Sequence, residues 1–331
     1  MMSSAATTPE FNRGPQPDFD KFAPSRSYNQ ARKYKDLAMR VLIYIAFLIA
    51  LIPLVSVLWT CLAEGYKRLD GYFLSHNMVN VIGGMYPYGG IFHAIIGTVE
   101  ITLGAMVISI PIGLMCAVYL VEYAQKGALS STISLLVDVM SGIPSIVAGL
   151  FAFSLFNIIV GPGTVNGFVG SVALSLLMIP TVVKTSEEML KIVPNDLREC
   201  SYALGVTKQR TITKIVLRTA LPGIVSGIIL AIARVIGETA PLLIASGFIA
   251  NTNFNLFSGR MTTLPVYVYN EYSQGLATCS AAALKLNPPC LPGIRMERAW
   301  AAALVLILIV LVLNIIGRIV AKVFSIEGTQ K

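Results

Sequence analysis

Charged side chains are scarce in this sequence. Asp, Glu, Lys and Arg make up 13% of the 331 residues, against roughly a quarter in soluble domains. Hydrophobic residues make up 55%, and the mean hydropathy is +0.72. This balance excludes an ordinary soluble domain and indicates a membrane protein. The net charge of +8 is then explained by membrane topology and by attraction to the anionic inner leaflet, so we predict no nucleic-acid partner.

The sequence also lacks the GxxxxGK[ST] loop that cradles nucleotide phosphates. We therefore expect no nucleotide hydrolysis by this chain. We predict no catalytic residues, no metal site and no cofactor bound by the chain itself.

Six apolar runs have the length of about 20 residues that a helix needs to cross a bilayer. Five are uncharged: residues 41–62, 101–121, 139–160, 164–183 and 299–317. The sixth, residues 220–250, is interrupted by Arg234, Gly237, Glu238 and Pro241. The predicted fold class is an all-α membrane protein with six transmembrane helices.

The distribution of the 25 Lys and Arg residues predicts the orientation. Most of them precede the first span, lie in the loop 185–219 or follow the last span, and basic residues are retained on the cytoplasmic side. Both termini are therefore predicted inside. Residues 1–36 are expected to be a disordered cytosolic tail because they carry few large aliphatic side chains. Residues 37–331 are expected to form the transmembrane domain, with a large outer loop at 251–298.

The loop 185–219 has the signals of a short helix. Asp196 and Glu199 have the spacing of a capping box, and Gly205 is a candidate C-cap. A second amphipathic helix is expected from about Thr207. The two helices form either a compact cytoplasmic knob or an interfacial hairpin on lipid.

This loop resembles the EAA motif of ABC importer permeases. Glu199, Gly205, Ile215 and Leu217 match the motif, whereas small Cys and Ser side chains replace its alanines and Arg218 stands where proline is common. The resemblance implies a type I ABC importer permease fold, in which a helix at residues 197–204 docks on an ATPase subunit. The residues implied in coupling are Asp196, Glu199, Ser201, Ala203, Leu204 and Gly205.

Five blocks in order resemble the phosphate ABC transporter permeases of the Pst system, and the last two resemble its A-type subunit. They are PIGLMCAVYLVEYA, SGIPSIVAGLFAF, VPNDLRECSYALGVTK, IARVIGETAPLL and MTTLPVYVYN. The resemblance implies a bacterial plasma-membrane subunit of an ATP-driven phosphate importer. The implied partners are a homologous C-type permease, two ATPase subunits that bind ATP and an extracytoplasmic phosphate-binding protein, within membrane lipid.

Arg234 and Glu238 are four residues apart, and a continuous helix would place them on one face. One interpretation is a structural ion pair that lowers the cost of membrane insertion. The other is a substrate pathway in which Arg234 offers a forked donor to phosphate and Glu238 holds it in a closed state. Thr239 is grouped with this pathway.

The SGIPS segment is predicted to break the third span, which frees backbone N–H groups near Ser141 and Ser145. The alternative is a packing kink between small residues. Lys184 is either a snorkelling side chain or part of an anion exit. Asp138 is expected to pair with a basic group or to contact water.

Cys279 and Cys290 share the outer loop, in an oxidising compartment, and are a possible disulfide; free thiols are the alternative. Two rival functions stay open. One is a permease for molybdate or sulfate. The other is a self-sufficient secondary transporter without an ATPase partner.

Overall fold

The computed structural model describes residues 26–81, 84–85, 88–124, 127–279, 284 and 289–324. Within these residues all secondary structure longer than a single β-bridge is helical. The helices are α1 (Arg26–Gly65), α2 (Gly71–Ser75), α3 (Phe92–Val118), α4 (Ala128–Gly142), α5 (Ser145–Ile159), α6 (Gly167–Ile192), α7 (Asn195–Ala203), α8 (Lys208–Thr211), α9 (Leu217–Ile236), α10 (Ala240–Ala245), α11 (Leu264–Ser273) and α12 (Ile294–Phe324). Two π-helical segments, π1 (Tyr119–Tyr123) and π2 (Ile212–Val216), continue α3 and precede α9.

The chain divides into two compact units, Met1–Leu58 and Trp59–Lys331. The described part of the first unit is helical from Arg26 and contains Pro53. Residues 26–36 are therefore helical, although the sequence places them in a disordered tail. The prediction for residues 1–25 concerns a segment outside the described residues.

Five helices are long and apolar enough to cross a membrane, within the part of the chain that the structure describes. They are Arg32–Arg68, Phe92–Tyr123, Gly167–Ile192, Lys208–Ile236 and Ile294–Lys322. The pair α4–α5 is bent by 107° and makes a sixth only if its halves form one span. Six spans with both termini inside therefore stay a prediction.

The predicted sixth span, residues 220–250, is wrong in its bounds. The helix begins at Lys208, and α8, π2 and α9 run without interruption to Ile236. The second helix of the inner loop is thus the start of this span and not a separate element. The span ends at Gly237 because glycine and the nearby Pro241 disfavour helix continuation.

Helix α6 forms the centre of the second unit. In the most apolar 18 residues of this span 61% are buried, compared with 33% in the span that contains α3 and 28% in the span that contains α12. Helices α3 and α9 pack along it, and α5 and α10 also contact it. Its Met178 and Val182 lie in one apolar core with Ile101 of α3 and Ile232 of α9. The helices α4, α5 and α9, which carry Ser141, Ser145 and Arg234, are therefore each positioned against α6.

Arg298 organises the end of the second unit that carries the loop 251–298. It is 1% exposed, and its Nη2 donates to the carbonyl oxygens of Met85 at 2.7 Å and Tyr88 at 2.6 Å. Its Nη1 lies 3.8 Å from Oε2 of Glu271, which belongs to α11. Burial raises the pKa of the Glu271 carboxyl, and the Arg298 charge offsets part of that rise. The outer loop is therefore held by a buried charge, and not only by apolar packing.

A disulfide joins Cys279 and Cys290. Next to it, the backbone N–H of Leu291 donates to the Gly84 carbonyl at 2.7 Å, and Met85 forms an isolated bridge with Cys290. The disulfide that the sequence offered as possible is therefore formed, and the backbone contacts beside it hold Cys290 and Leu291 against Gly84 and Met85. The LPVYVY segment forms the first part of the helix α11.

Helices α5 and α10 meet at a glycine. A Cβ atom on Gly149 would lie 2.5 Å from Cα and 2.8 Å from the carbonyl oxygen of Pro241. These are backbone atoms, which cannot rotate aside. The contact therefore requires glycine at residue 149.

We predict that Gly149→Ala separates α5 from α10 and lowers the melting temperature of the purified protein in detergent, because overpacking costs about 1–3 kcal/mol. The matched control is Gly71→Ala in α2, where a Cβ atom meets nothing within 4 Å. The control should leave the melting temperature unchanged or slightly raised, since alanine is the better helix former. Equal melting temperatures for both variants would contradict this view of the contact.

Candidate functional site

A cluster of polar groups surrounds the break between α4 and α5. The Lys184 ammonium of α6 lies 2.7 Å from Oδ1 of Asp138 and 3.4 Å from Oγ of Ser141, to which it donates. Ser141 Oγ donates to the Asp138 carbonyl oxygen at 2.7 Å. Ser145 is the first residue of α5, and its helix start has no side-chain cap. The break thus places a lysine, a carboxylate and uncapped backbone N–H groups together.

Lys184 is already neutralised in this arrangement. Its side chain is 42% exposed and that of Asp138 is 63% exposed, so the pair is accessible. Helix α6 continues eight residues past Lys184 to Ile192, beyond the predicted end of the fourth span at residue 183. An anion that approaches Lys184 has to compete with the Asp138 carboxylate.

The second break separates α9 from α10 and overturns a prediction. Helix α9 ends at Ile236, with Gly237 as its C-cap, so Glu238 is outside the helix. Arg234 and Glu238 are therefore not on one helix face. In the described part of the chain no salt bridge joins them, and the predicted internal ion pair is wrong. Thr239 accepts backbone hydrogen bonds from Leu242 and Leu243 at the start of α10.

Arg234 lies on an exposed stripe of α9. The stripe follows the helical repeat and contains Thr219, Ser226, Leu230, Arg234 and Gly237, all of them exposed. The Arg234 side chain has no hydrogen bond or ion pair with any described residue. Because a charged side chain within a membrane helix is costly when unpaired, this stripe needs a polar partner or a water-filled path beside it.

The two breaks lie on helices that touch. Helix α5, which follows the first break, packs on α10, which follows the second, at Gly149 and Pro241. Both helices also pack on α6, which carries Lys184. The predicted pathway residues are therefore distributed over one set of contacting helices.

The short helix of the inner loop is α7, from Asn195 to Ala203, two residues earlier at its start than predicted. Its N-cap is Pro194, and Asp196 lies inside the first turn. A carboxylate in the first turn is stabilised by the positive end of the helix dipole. Asp196 and Glu199 are exposed and make no capping hydrogen bond, so the predicted capping box is wrong. The earlier helix start is the reason, since it moves Asp196 out of the N-cap position.

Gly205 ends α7 in the left-handed conformation, with φ of +74°. Its N–H donates to the Tyr202 carbonyl at 2.9 Å, and the Val206 N–H donates to the Ser201 carbonyl at 3.2 Å. This is the Schellman pattern, for which glycine is favoured. The C-cap role predicted for Gly205 therefore matches the structure.

The remaining coupling candidates divide into two sets. Ser201 is 3% exposed, and its Oγ lies 2.8 Å from Oγ1 of Thr211 in α8. Ala203 is exposed, and Leu204 is 83% exposed. Ser201 therefore fixes α7 against α8. Glu199, Ala203 and Leu204 are exposed to solvent.

Sequence reasoning missed the strongest polar contact of this region. Arg198 of α7 donates from Nη2 at 2.9 Å and from Nε at 3.1 Å to Oε1 of Glu122 in π1. In the sequence, Arg198 is only one of several basic residues in the loop 185–219. A lone acidic residue at the end of a long apolar run, as in VYLVEYA, was the available signal.

Comparison with known proteins identifies the family. Residues 109–325 match the family described as binding-protein-dependent transport system inner membrane component. The chain is 42% identical to phosphate transport system permease protein PstA 1 of Mycobacterium tuberculosis strain H37Rv over 286 residues. The aligned residues cover 86% of each of the two chains. It is 39% identical over 293 residues to PstA of Mycobacterium leprae, covering 88% of this chain and 90% of that protein. PstA of Yersinia pestis is 35% identical over 298 residues, covering 89% and 93%.

Solved structures share the fold. One is a bacterial alginate ABC transporter in complex with a periplasmic protein, with a TM-score of 0.60, 12% identity, and coverage of 89% of this chain and 98% of that chain. Another is the inward-facing MetNI methionine ABC transporter, with a TM-score of 0.53, 19% identity, and coverage of 72% and 95%. These similarities concern the fold alone.

The family consists of inner membrane components of transport systems, which agrees with the apolar helices of this bacterial multi-pass chain. Its relatives are named as transport permeases, so the chain is a transport subunit and not an enzyme. Since the family match covers more than half of the sequence, the chain belongs to the binding-protein-dependent transport system inner membrane components, as a permease subunit of an ABC transporter.

Proposed function

We propose that the chain is the A-type permease subunit of an ATP-driven importer of inorganic phosphate. It lines the translocation path together with a homologous C-type subunit. Two ATPase subunits bind and hydrolyse ATP at the cytoplasmic side, and an extracytoplasmic binding protein delivers phosphate. Relatives named as phosphate transport system permeases support the substrate.

One observation carries the proposal: Arg234 is exposed on a membrane helix and is not neutralised by Glu238. A guanidinium offers two parallel N–H donors that match two oxygens of phosphate, and its positive charge strengthens both hydrogen bonds. The stripe of α9 that carries Arg234 is the surface that would face the path and the C-type subunit. Lys184 has a secondary role, because Asp138 already occupies its ammonium group.

Ser141, Ser145 and Thr239 are proposed to line the same path at the two helix breaks. Non-helical backbone is tolerated at membrane depth where it is buried in protein or lines a water-filled cavity. The uncapped start of α5 at Ser145 offers backbone N–H groups to an anion. The contact of α5 with α10 would keep the two breaks in a constant relation during transport.

On the cytoplasmic side, α7 is proposed to dock on an ATPase subunit through its exposed residues. Asp196, Glu199, Ala203 and Leu204 are exposed. Leu204, at 83% exposure, is a large apolar side chain that a docking groove would bury. Ser201 and Gly205 shape the helix and do not contact the partner.

Two other functions are distinguishable. A molybdate or sulfate importer would use the same coupling helix but would show uptake that those oxyanions inhibit and phosphate does not. A secondary transporter would import without an ATPase, so co-purification with an ATPase and a phosphate-binding protein would argue against it. The relatives named PstA favour phosphate over both alternatives.

We predict that Arg234→Ala lowers phosphate uptake by more than about thirtyfold, the effect of losing a direct charge-assisted contact. Arg234→Lys should restore little, because a point charge lacks the guanidinium fork. Glu238→Gln should have a small effect, since no ion pair joins the two residues. The double variant Arg234→Ala with Glu238→Ala should behave like Arg234→Ala alone.

The measurement is radiolabelled phosphate uptake with membrane levels matched. Arg318→Ala is the control, because it removes an exposed arginine from the membrane helix α12 and should leave uptake near normal. Normal uptake by the double variant would show that Arg234 does not contact phosphate.

We predict that Gly205→Val abolishes uptake without affecting membrane insertion. A β-branched residue held at φ of +74° costs about 1–3 kcal/mol, so the end of α7 would rearrange. Gly205→Asn is the control, since asparagine visits the left-handed region more readily, and it should retain most of the uptake. The measurement is phosphate uptake together with ATPase activity of the assembled transporter. Equal activity of both variants would refute a conformational role for Gly205.

A further inference from the structure

The Arg198 guanidinium uses each of its five N–H donors. In addition to the two bonds to Glu122, Nη1 donates to the Val193 carbonyl at 2.7 Å and to Oδ1 of Asn195 at 3.1 Å. Nη2 also donates to the Leu190 carbonyl at 3.0 Å. Five is the full donor capacity of an arginine side chain. Lysine, with three donors and no planar fork, cannot reproduce this set.

These bonds join three elements at one point. Arg198 belongs to α7, Glu122 to π1, and Leu190 and Val193 to the last turn of α6 and its C-cap. The final carbonyl groups of a helix have no donor within the helix. Arg198 supplies that donor to α6 and at the same time pairs with the extension of α3.

The pair is shielded from solvent. The Arg198 side chain is 14% exposed and that of Glu122 is 5% exposed. An ion pair with little solvent access loses far more when one partner is removed than an exposed pair does, because the remaining charge stays uncompensated. Displacement of α7 therefore has to carry Glu122 and the end of α6 with it, or else expose a buried charge.

Two π-helical segments lie next to this junction, π1 at the end of α3 and π2 before α9. Such segments are rare in proteins as a whole, and those that occur are often at functional sites. Glu122 lies in π1, and π2 directly follows Thr211, the partner of Ser201. The Lys208 ammonium lies 4.7 Å from the centre of the Tyr123 ring, which joins the two sides. A cavity of about 350 Å³, lined by Tyr119, Tyr123, Ile212 and Leu217 among others, separates the two π segments. Free space therefore lies beside two helix segments whose hydrogen bonding differs from that of an α-helix.

We propose that Arg198 is the positioning residue that converts movement of α7 into movement of α3 and α6, with Glu122 as its receiver. This inference rests on the proposed function, because it requires α7 to be moved by an ATPase. Arg198 does not contact phosphate or ATP. It acts through α6, which carries Lys184, and through α3, which packs along α6.

The test uses the complete transporter in proteoliposomes, with phosphate-loaded binding protein outside and ATP available to the ATPase subunits. The readout is phosphate imported per ATP hydrolysed, a ratio that a loss of folded protein does not change. Glu122→Gln keeps the shape of the receiver and removes its charge, and Arg198→Lys keeps the charge and removes the fork. For both variants we expect the ratio to fall by about fivefold or more, the lower range of ordinary coupling between sites, while ATP hydrolysis continues.

The matched control is Lys191→Gln, which breaks the ion pair of Lys191 with Glu187 on the same helix α6. That pair has an N–O distance of 2.6 Å, but its lysine is 61% exposed. The control should keep the wild-type ratio. An unchanged ratio in Glu122→Gln and Arg198→Lys, even with lower thermal stability, would overturn the proposal and leave Arg198 a structural residue. A wild-type complex that imports another oxyanion would instead overturn the proposed substrate, and the ratio would then be measured with that oxyanion.

Discussion

The close approach of neighbouring helices to α6 is the constraint on which the rest of the structure depends. Lipid provides little hydrophobic drive for helices to associate, so small residues that let backbones approach are needed. A Cβ atom on Gly113 of α3 would lie 2.7 Å from the Val182 side chain, and one on Gly227 of α9 would lie 2.6 Å from Oγ1 of Thr185. Because α3 and α9 are held on α6 at these positions, α6 is the element against which the neighbouring helices are placed.

The charged residues divide by whether the protein itself neutralises them. Arg298 with Glu271 holds the outer loop, and Arg198 with Glu122 holds α7. Lys184 with Asp138 closes the break between α4 and α5, but both side chains stay accessible. Arg234 differs from these, since no described residue pairs with it. Under our proposals, the buried pair of Arg198 and Glu122 positions α7, whereas Arg234 contacts the anion.

The same division suggests how the two ends of the molecule communicate under our proposals. Helix α7 is anchored by Arg198 to α6 and by Ser201 to α8. Helix α6 carries Lys184, and the continuous run from α8 through π2 to α9 carries Arg234. A displacement of α7 would therefore reach each candidate pathway cation along one helical run. This arrangement requires no further mobile element between ATPase and substrate.

Much of this architecture was predictable from residue patterns, because apolar run length, glycine positions and proline positions act locally. The break at SGIPS, the glycine end of α7 and the apolar face with Ile212 and Val216 follow from such local rules. The separation of Arg234 from Glu238 was not predictable from their spacing. The predicted pairing assumed a continuous helix, and the chain leaves the helix at Gly237 between them.

The sequence by itself determined that this is a helical membrane protein, since composition and the length of the hydrophobic runs decide that class. It also contained the motifs by which its family is recognised. Only the tertiary structure decided which charges are neutralised. Glu122 and Arg198 are 76 positions apart, and Asp138 and Lys184 belong to different helices. Such contacts depend on how helices pack against α6, and no local pattern encodes that packing.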